Sequence, residues 1–311
     1  MSRRISLRET FGLSPLPLRI KEAAIALRGD ANVPPSKFDV TSLGVLHPWL
    51  SVKTWAGVRR RDRRIPISNY FNRTPTPLHE GWSVRKTQVR EWRGGRQTYD
   101  SHNGTDFVIP VGTVVVAPAP AVVLRVSSEF NRGGLKIFLD HGDGLVTTSN
   151  HLARALVKVG DRVVRGQPIA RSGYSGIDGF LAFPWSPPHV HFNVWLDGDC
   201  VDPFAVPGET PIWREGNEPK PPNGEETEPF RPSAFAERAL DEAVAFCKDP
   251  TRRAALRAEL DLPVRAMNLM FERNYYPTRF DGRPPIYAER HERTPRLSLP
   301  FRREDFDGIA P

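Results

Sequence analysis

The sequence predicts a mainly β protein: an antiparallel β-sheet core in the middle third, a loop-rich N-terminal arm, and a short α-helical C-terminal extension. Three observations lead there. Between residues 108 and 196, short runs of β-branched or aromatic residues alternate with Gly, Asp, Asn and Pro, the punctuation of antiparallel strands joined by turns. The 311 residues include 31 prolines, about twice the usual share, which argues against long helices and broad parallel sheets. Hydrophobic residues make up 39% and charged residues 26%, values of a globular chain rather than a disordered or fibrous one.

Residues 1–97 read as a basic, mostly irregular arm containing one short helix: Pro17 lies near its first turn, Ile20, Ala23, Ala24 and Leu27 share a face, and Gly29 is a stop signal. Residues 98–204 form the β core, with Val108-Ile109, Val114–Val116, Val122–Leu124, Ile137–Leu139, Val163-Val164 and Phe192–Leu196 as strands. A Pro-, Glu- and Gly-rich linker fills 205–232. Within 233–311, Ala-rich helical segments are expected at Ser233–Cys247, Thr251–Leu260 and Val264–Arg273, followed by a Pro- and Arg-rich tail lying extended against the body. The proline excess is local, since 15 of the 31 follow residue 204 and three of the core's eight, Pro184, Pro187 and Pro188, cluster in one loop. Neither the arm nor the extension has enough periodic apolar sequence for a sizeable core of its own, so both are expected to wrap the β core. There is no internal repeat.

Charge and cysteine content narrow the chemistry. The net +8 is uneven: residues 1–98 hold 19 basic against 7 acidic residues, a net +12, while 99–204 and 205–311 each carry −2. Much of the excess is the run Arg59, Arg60, Arg61, Arg63 and Arg64, which has the charge to attract phosphates. No aromatic interleaving or nucleic-acid motif accompanies it, so it reads as a solvated loop and no nucleic-acid partner is assigned. Cys200 and Cys247 alone supply neither a disulfide framework nor a four-thiolate zinc site, so any metal falls to His and carboxylates. No apolar run approaches the ~18 residues of a membrane span. The stretch Leu16–Leu27 is broken by Arg19, Lys21 and Glu22, unlike the core of a secretion signal.

Five of the eight histidines, His102, His141, His151, His189 and His191, fall in the β-rich third. His102 and Asp106 make an H-x-x-x-D pair at the start of a strand-like segment, Ser101 to Phe107, and His189 and His191 make an H-x-H pair. Residues two apart in a strand point to one face, so both imidazoles of H-x-H can look into one site. Two His and one carboxylate suffice to hold a catalytic zinc, whose fourth position stays open. An H-x-H alone is as often two chance histidines on an exposed strand.

The order His102-x-x-x-Asp106, then Asn150-His151-Leu152, then His189-x-His191 resembles the lysostaphin/LytM-type zinc metalloendopeptidases, which cut peptide bonds in bacterial peptidoglycan. The connecting residues resemble them too: Gly112-Thr113, Leu139 to Gly144, Val159 to Val163, Gly166 to Ile169, Ser172-Gly173, Asp197-Gly198 and Val201-Asp202-Pro203 stand in family order. The resemblance covers about residues 98–204. It implies one zinc ion per chain held by His102, Asp106 and His191, with His151 and His189 as catalytic groups, one a general base and the other a donor to the oxyanion; it does not say which is which. His141 is read as structural. Peptidoglycan or another peptide is the implied substrate, which leaves the address between the cell envelope or exterior and, with no export signal visible, the cytoplasm. No oligomeric state is assigned.

Two departures stand out. Ser149 occupies a position where the family usually has an aromatic residue, and the stretch between Gly173 and His189 is about seven residues longer than usual. That stretch, with Phe180, Leu181, Phe183 and Trp185, is expected either to border the substrate groove or to pack on the helical third. Two rival readings differ in class. The Val159-Gly160-Asp161 to Ala170 phrase is also typical of lipoyl or sugar-phosphotransfer carriers, but Lys158 precedes the turn and H-x-x-x-D has no role in a carrier. A non-proteolytic regulatory or wall-binding protein on an intact peptidase core is the stronger alternative.

Overall fold

The protein is described from a computed structural model covering residues 4–310. Its arm is more helical than the sequence reading expects. Helix α1 (Leu7–Phe11) is started by a capping box in which Ser6 and Glu9 satisfy each other's backbone N–H, and is stopped by Gly12 in the left-handed conformation. Helix α2 (Leu16–Arg28) is the one predicted, with proline in its first turn and Gly29 closing onto Ile25. A 3-10 helix (Val40–Val45) and helix α3 (Pro48–Trp55) follow. Helices α1 and α3 span five and eight residues, too few turns for an apolar period to stand out. Strand β1 (Arg64–Pro66) and a second 3-10 helix (Leu78–Glu80) follow within the arm.

The middle third is a nine-stranded sheet in which every pairing is antiparallel. Its members are β2 (Thr105–Val108), β3 (Val114–Val116), β4 (Ala121–Glu129), β5 (Gly134–Asp140), β6 (Leu145–Ala155), β7 (Arg162–Val163), β8 (Pro168–Ser172), β9 (His189–Leu196) and β10 (Asp199–Val201). Each predicted strand is present. The longest, β6, is not among the predictions, because its Thr-Thr-Ser-Asn-His run is polar although almost wholly buried. Strand β6 also changes partner along its length, pairing β9 through residues 145–149 and β8 through 152–155, which folds the sheet over on itself.

Helix α4 (Ile177–Ala182) lies in the long stretch before β9. Helices α5 (Glu237–Ala245), α6 (Pro250–Ala258) and α7 (Leu262–Tyr275) occupy the three predicted segments. The tail ends in β11 (Gly308–Ala310), which pairs in parallel with β1 and so ties the tail to the arm. No helix among the described residues is long and apolar enough to cross a membrane.

The two faces of the sheet are covered differently. One encloses Phe107, Val115, Ile137 and Phe192 beneath Ile65 and Tyr70 of the arm, Trp213 of the linker, and Leu297, Leu299 and Phe301 of the tail. The other, with Leu124, Phe138, Val146 and Trp195, packs against α5 and α7 through Leu240, Met267, Met270 and Phe271. The arginine run is an exposed loop whose members pair with Asp62, Asp305 and Asp307.

Candidate metal and catalytic site

Strand register brings the predicted residues together. Asp106 of β2 lies directly opposite His191 of β9, and Val108 opposite His189. Alternation sends Phe107, Val190 and Phe192 into the core, leaving Asp106, His189 and His191 on the other face. His102 precedes the strand, in a loop rather than at its start, and its backbone carbonyl accepts from the Asn72 N–H. Gly104 lets that loop approach β9: a Cβ there would stand 2.6 Å from the Phe192 carbonyl oxygen and 2.8 Å from His191 Nε2.

Three donor atoms meet at one point. His102 Nε2 lies 3.1 Å from Asp106 Oδ1 and 3.2 Å from His191 Nδ1, and the latter two are 2.7 Å apart. Donors bonded to a common tetrahedral zinc at ~2.0–2.1 Å stand about 3.3 Å from one another, so the set has the size and chemistry of a zinc site. The rest of each ring is already committed. His102 Nδ1–H donates to the Tyr70 carbonyl at 2.6 Å, which leaves Nε2 with its lone pair inward. The His191 ring is turned the other way: Nε2 lies 3.1 Å from Asn103 Oδ1 and 3.0 Å from Asn193 Nδ2, and Nδ1 faces the site. Asn69 Nδ2 donates to Asp106 Oδ2 at 2.9 Å, leaving Oδ1 to face the imidazoles. Burial alone would raise the Asp106 carboxyl, but the neighbouring His102 and His189 rings outweigh it and hold the group well below the usual range.

His151 and His189 stand beside this cluster, their ring centroids 4.8 Å apart and that of His151 6.1 Å from His191. Each anchors its outer nitrogen on a carbonyl, His151 Nδ1 on Ser175 at 2.7 Å and His189 Nδ1 on Pro187 at 2.9 Å. The inner Nε2 of both is thereby an acceptor. His151 has φ of +58°, a left-handed backbone that non-glycine residues seldom adopt, where the pairing of β6 shifts register. Burial, with the neighbouring His189 and His191 imidazoles, holds His151 well below the ordinary histidine range. His141 lies apart from the cluster, buried, with Nδ1 donating to Pro120 O (2.9 Å) and Nε2 accepting from Thr147 Oγ1 (2.8 Å), a filled structural role.

The site opens into a cavity of about 440 Å³. One wall is the arm, with Phe38, Leu43 and Leu46; the other is the stretch before β9, with Leu181 and Trp185; His151, His189, His191 and Asp106 lie among its lining. The long stretch therefore borders the groove, and its outer side packs on the arm rather than on the C-terminal helices, with Phe183 edge-on to Phe11 and Trp55. Asn69, Asn103 and the Tyr70 carbonyl are supporting groups that the sequence reading misses. Asn69 has no spacing relation to the motifs, and a backbone carbonyl carries no residue-type signal.

Comparison with known proteins places these residues in context. Residues 100–203 match Peptidase family M23. An uncharacterized metalloprotease of Haemophilus influenzae is 36% identical over 105 residues, 34% of this chain and 21% of that protein. The peptidoglycan DD-endopeptidase ShyC of Vibrio cholerae is 36% identical over 108 residues, 34% of this chain and 23% of that protein. The chain thus spans about a fifth to a quarter of the length of the curated relatives it matches. Among solved structures, the catalytic domain of lysostaphin from Staphylococcus simulans is 28% identical, covering 43% of this chain and 85% of that one, with a TM-score of 0.30.

Proposed function

We propose, for a chain whose residues 100–203 match Peptidase family M23, that the protein is a zinc-dependent endopeptidase, the peptide bonds of peptidoglycan being the substrate that its relatives' names indicate. One observation carries the reading: His102 Nε2, Asp106 Oδ1 and His191 Nδ1 converge within hydrogen-bonding distance of one another, beside two further imidazoles whose outer nitrogens are already anchored. His102, Asp106 and His191 would hold one zinc. Bound there, zinc supplies Lewis acidity, lowering the pKa of water and polarising the scissile carbonyl.

The chain's own groups do the rest. Tyr70 O, Asn103 and Asn69 hold the three ligands in the orientations that turn lone pairs inward. His151 and His189 form a pair that divides two tasks: one, neutral, accepts a proton from the attacking water at Nε2, and the other, in its protonated form, donates from Nε2 to the oxygen on which negative charge develops. A water proton taken up by the pair can be passed to the departing amine, so the reaction closes without another acid.

The test joins metal analysis to product analysis. Protein purified without chelator should carry one zinc per chain and release defined fragments, identified by mass, from purified peptidoglycan or short Gly- and Ala-containing peptides. His191→Ala or Asp106→Ala should lose both metal and hydrolysis. His151→Ala should keep the metal while kcat falls by about 10²–10⁴. A metal-free wild-type protein, or full activity in His151→Ala, would overturn the assignment.

A further inference from the structure

Two helices of the arm turn polar residues toward the body and apolar residues toward solvent. In α2, Leu16, Ile20, Ala24 and Leu27 recur at the four- and three-residue spacing that sets side chains on one face, within an arc of about 80°. An amphipathic helix ordinarily buries such a stripe. Here all four residues are exposed, Ile20 at 62%, while the buried members of the helix are Arg19 and Ala26. Helix α3 repeats the pattern: Ser51 and Thr54 are buried, and Trp49, 83% exposed, and Val52, three residues on, face outward. Exposed apolar surface of this extent calls for a partner.

The docking contacts account for the inversion. Arg19 donates to the Ser14 carbonyl and, at the end of β4, to the Ser128 carbonyl at 2.7 Å and Ser128 Oγ at 2.9 Å. Glu22, the acid of α2, is drawn inward with it, 2.8 Å from Arg19 Nη1 and accepting from the Phe130 N–H at 2.8 Å. In α3, Ser51 Oγ donates to the Pro184 carbonyl at 2.6 Å, and Thr54 Oγ1 to the Leu50 carbonyl at 2.7 Å. Polar groups therefore fix both helices to the body, and their apolar faces are left over.

Charge identifies the partner. With Glu22 turned inward, the residues flanking the α2 stripe are Lys21 and Arg28, and Lys53 follows Val52 in α3; all three are exposed, and none is ion-paired among the described residues. They belong to a segment, residues 1–98, with a net charge of +12. A second copy of the chain would bring the same positive charge to the contact and be repelled. Leu, Ile and Trp side chains bordered by Lys and Arg suit a helix lying in the interface of an anionic bilayer, where the apolar groups enter the acyl boundary and the cations stay at the phosphates. Tryptophan favours that depth. At 13 and eight residues, α2 and α3 are too short to cross a bilayer, so the contact lies along its surface. We infer that the outer faces of α2 and α3 are a docking surface for membranes rich in anionic phospholipid. Leu27 of α2 and Leu46, just before α3, also line the cavity at the candidate site, so docking would hold that site close to the membrane.

The experiment sediments the full chain with vesicles of phosphatidylcholine alone and of phosphatidylcholine mixed with phosphatidylglycerol. Binding should require phosphatidylglycerol and weaken as salt rises. Ile20→Ser and Trp49→Ser keep every charge and should each lower the affinity by roughly tenfold, while Lys21→Gln combined with Lys53→Gln should lower it by about tenfold or more. Thermal unfolding should be unchanged in all of these, because the side chains already face solvent. Absence of binding at low salt would overturn the docking surface. So would wild-type affinity in Ile20→Ser and Trp49→Ser, which would reduce the attraction to net charge. A dimer dissolved by those two variants would assign the face to a second copy instead, and retention on purified peptidoglycan lost in the same variants would assign it to the wall. Vesicle binding does not depend on hydrolysis, so the docking surface and the peptidase reading stand or fall separately.

Discussion

On the zinc reading one carboxylate oxygen of Asp106 is the ligand, and Asn69 decides which of the two faces inward. Its Nδ2 occupies Oδ2 at 2.9 Å, while Oδ1 lies 3.1 Å from His102 Nε2 and 2.7 Å from His191 Nδ1. Without that donor the buried carboxylate loses a partner and the freedom to rotate returns. Asn69→Ala is expected to weaken zinc binding by about 10–100-fold in chelator competition, with Asn69→Gln recovering part of the loss. Unchanged affinity in Asn69→Ala would show that the strands alone orient Asp106. The contrast between Asn69 and its target marks what was legible at this scale. H-x-x-x-D and H-x-H are visible because strand alternation puts same-face residues at fixed spacing, and the register of β2 on β9 then joins them. Asn69 reaches the site only because residues 67–69 run alongside β2, with Ser68 N–H donating to the Asp106 carbonyl and Asp106 N–H to that of Asn69. No periodicity records that contact.

Elements built on β-branched runs were legible, and elements held by polar partners were not. Strands β4, β5 and β9 read directly from valine, isoleucine and aromatic residues, whereas β6 buries a polar run that finds its partners only in the folded sheet: Asn150 on the His191 carbonyl, Thr148 on Trp195, Thr147 on His141. The β4–β5 pair makes the same point with charge. Lys136 is fully buried, with Nζ 2.6 Å from Glu129 Oε2, and Arg125 binds the other oxygen of Glu129 at 2.6 Å while lying 4.1 Å over the Phe271 ring of α7. Burial would raise Glu129, but Lys136 and Arg125 outweigh it and hold the carboxyl at about 2. A folded-state value below the unfolded one contributes stability that is complete above about 4.5 and is lost as pH falls toward about 2. Glu129→Gln strands a buried ammonium and is expected to cost roughly 3–5 kcal/mol at neutral pH. Its deficit against the wild type, followed by denaturant unfolding, should shrink as pH falls through this window, and a deficit independent of pH would place the effect in packing instead of charge.

At the scale of the molecule, the family match ends at residue 203 but the core does not. Leu297, Leu299, Phe301, Phe306 and Ile309 of the tail lie in the same apolar cluster as Phe107 and Phe192, each no more than 6% exposed. The tail is also hydrogen-bonded into place: Val116 N–H donates to the Pro300 carbonyl, Ser298 N–H to Pro118, and β11 pairs with β1. Burying one such side chain contributes about 1.5–3 kcal/mol, so five of them sum to roughly 7–15 kcal/mol, the size of the whole net stability of an ordinary domain. A chain ending at Pro295 is therefore expected to be insoluble or unfolded. Phe301→Ala in the full chain should fold with a stability lower by about 3–5 kcal/mol. Soluble yield, the cooperativity of thermal unfolding and denaturant midpoints measure both. The Phe301 variant separates loss of burial from loss of the β1–β11 pairing, because it keeps that pairing and removes only the ring beneath Phe107, 5.5 Å from it in an edge-on contact. If the shortened chain instead unfolds cooperatively at the wild-type temperature, the tail lies on a core that is complete without it, and His102, Asp106 and His191 would then need only the arm and the sheet to hold their positions.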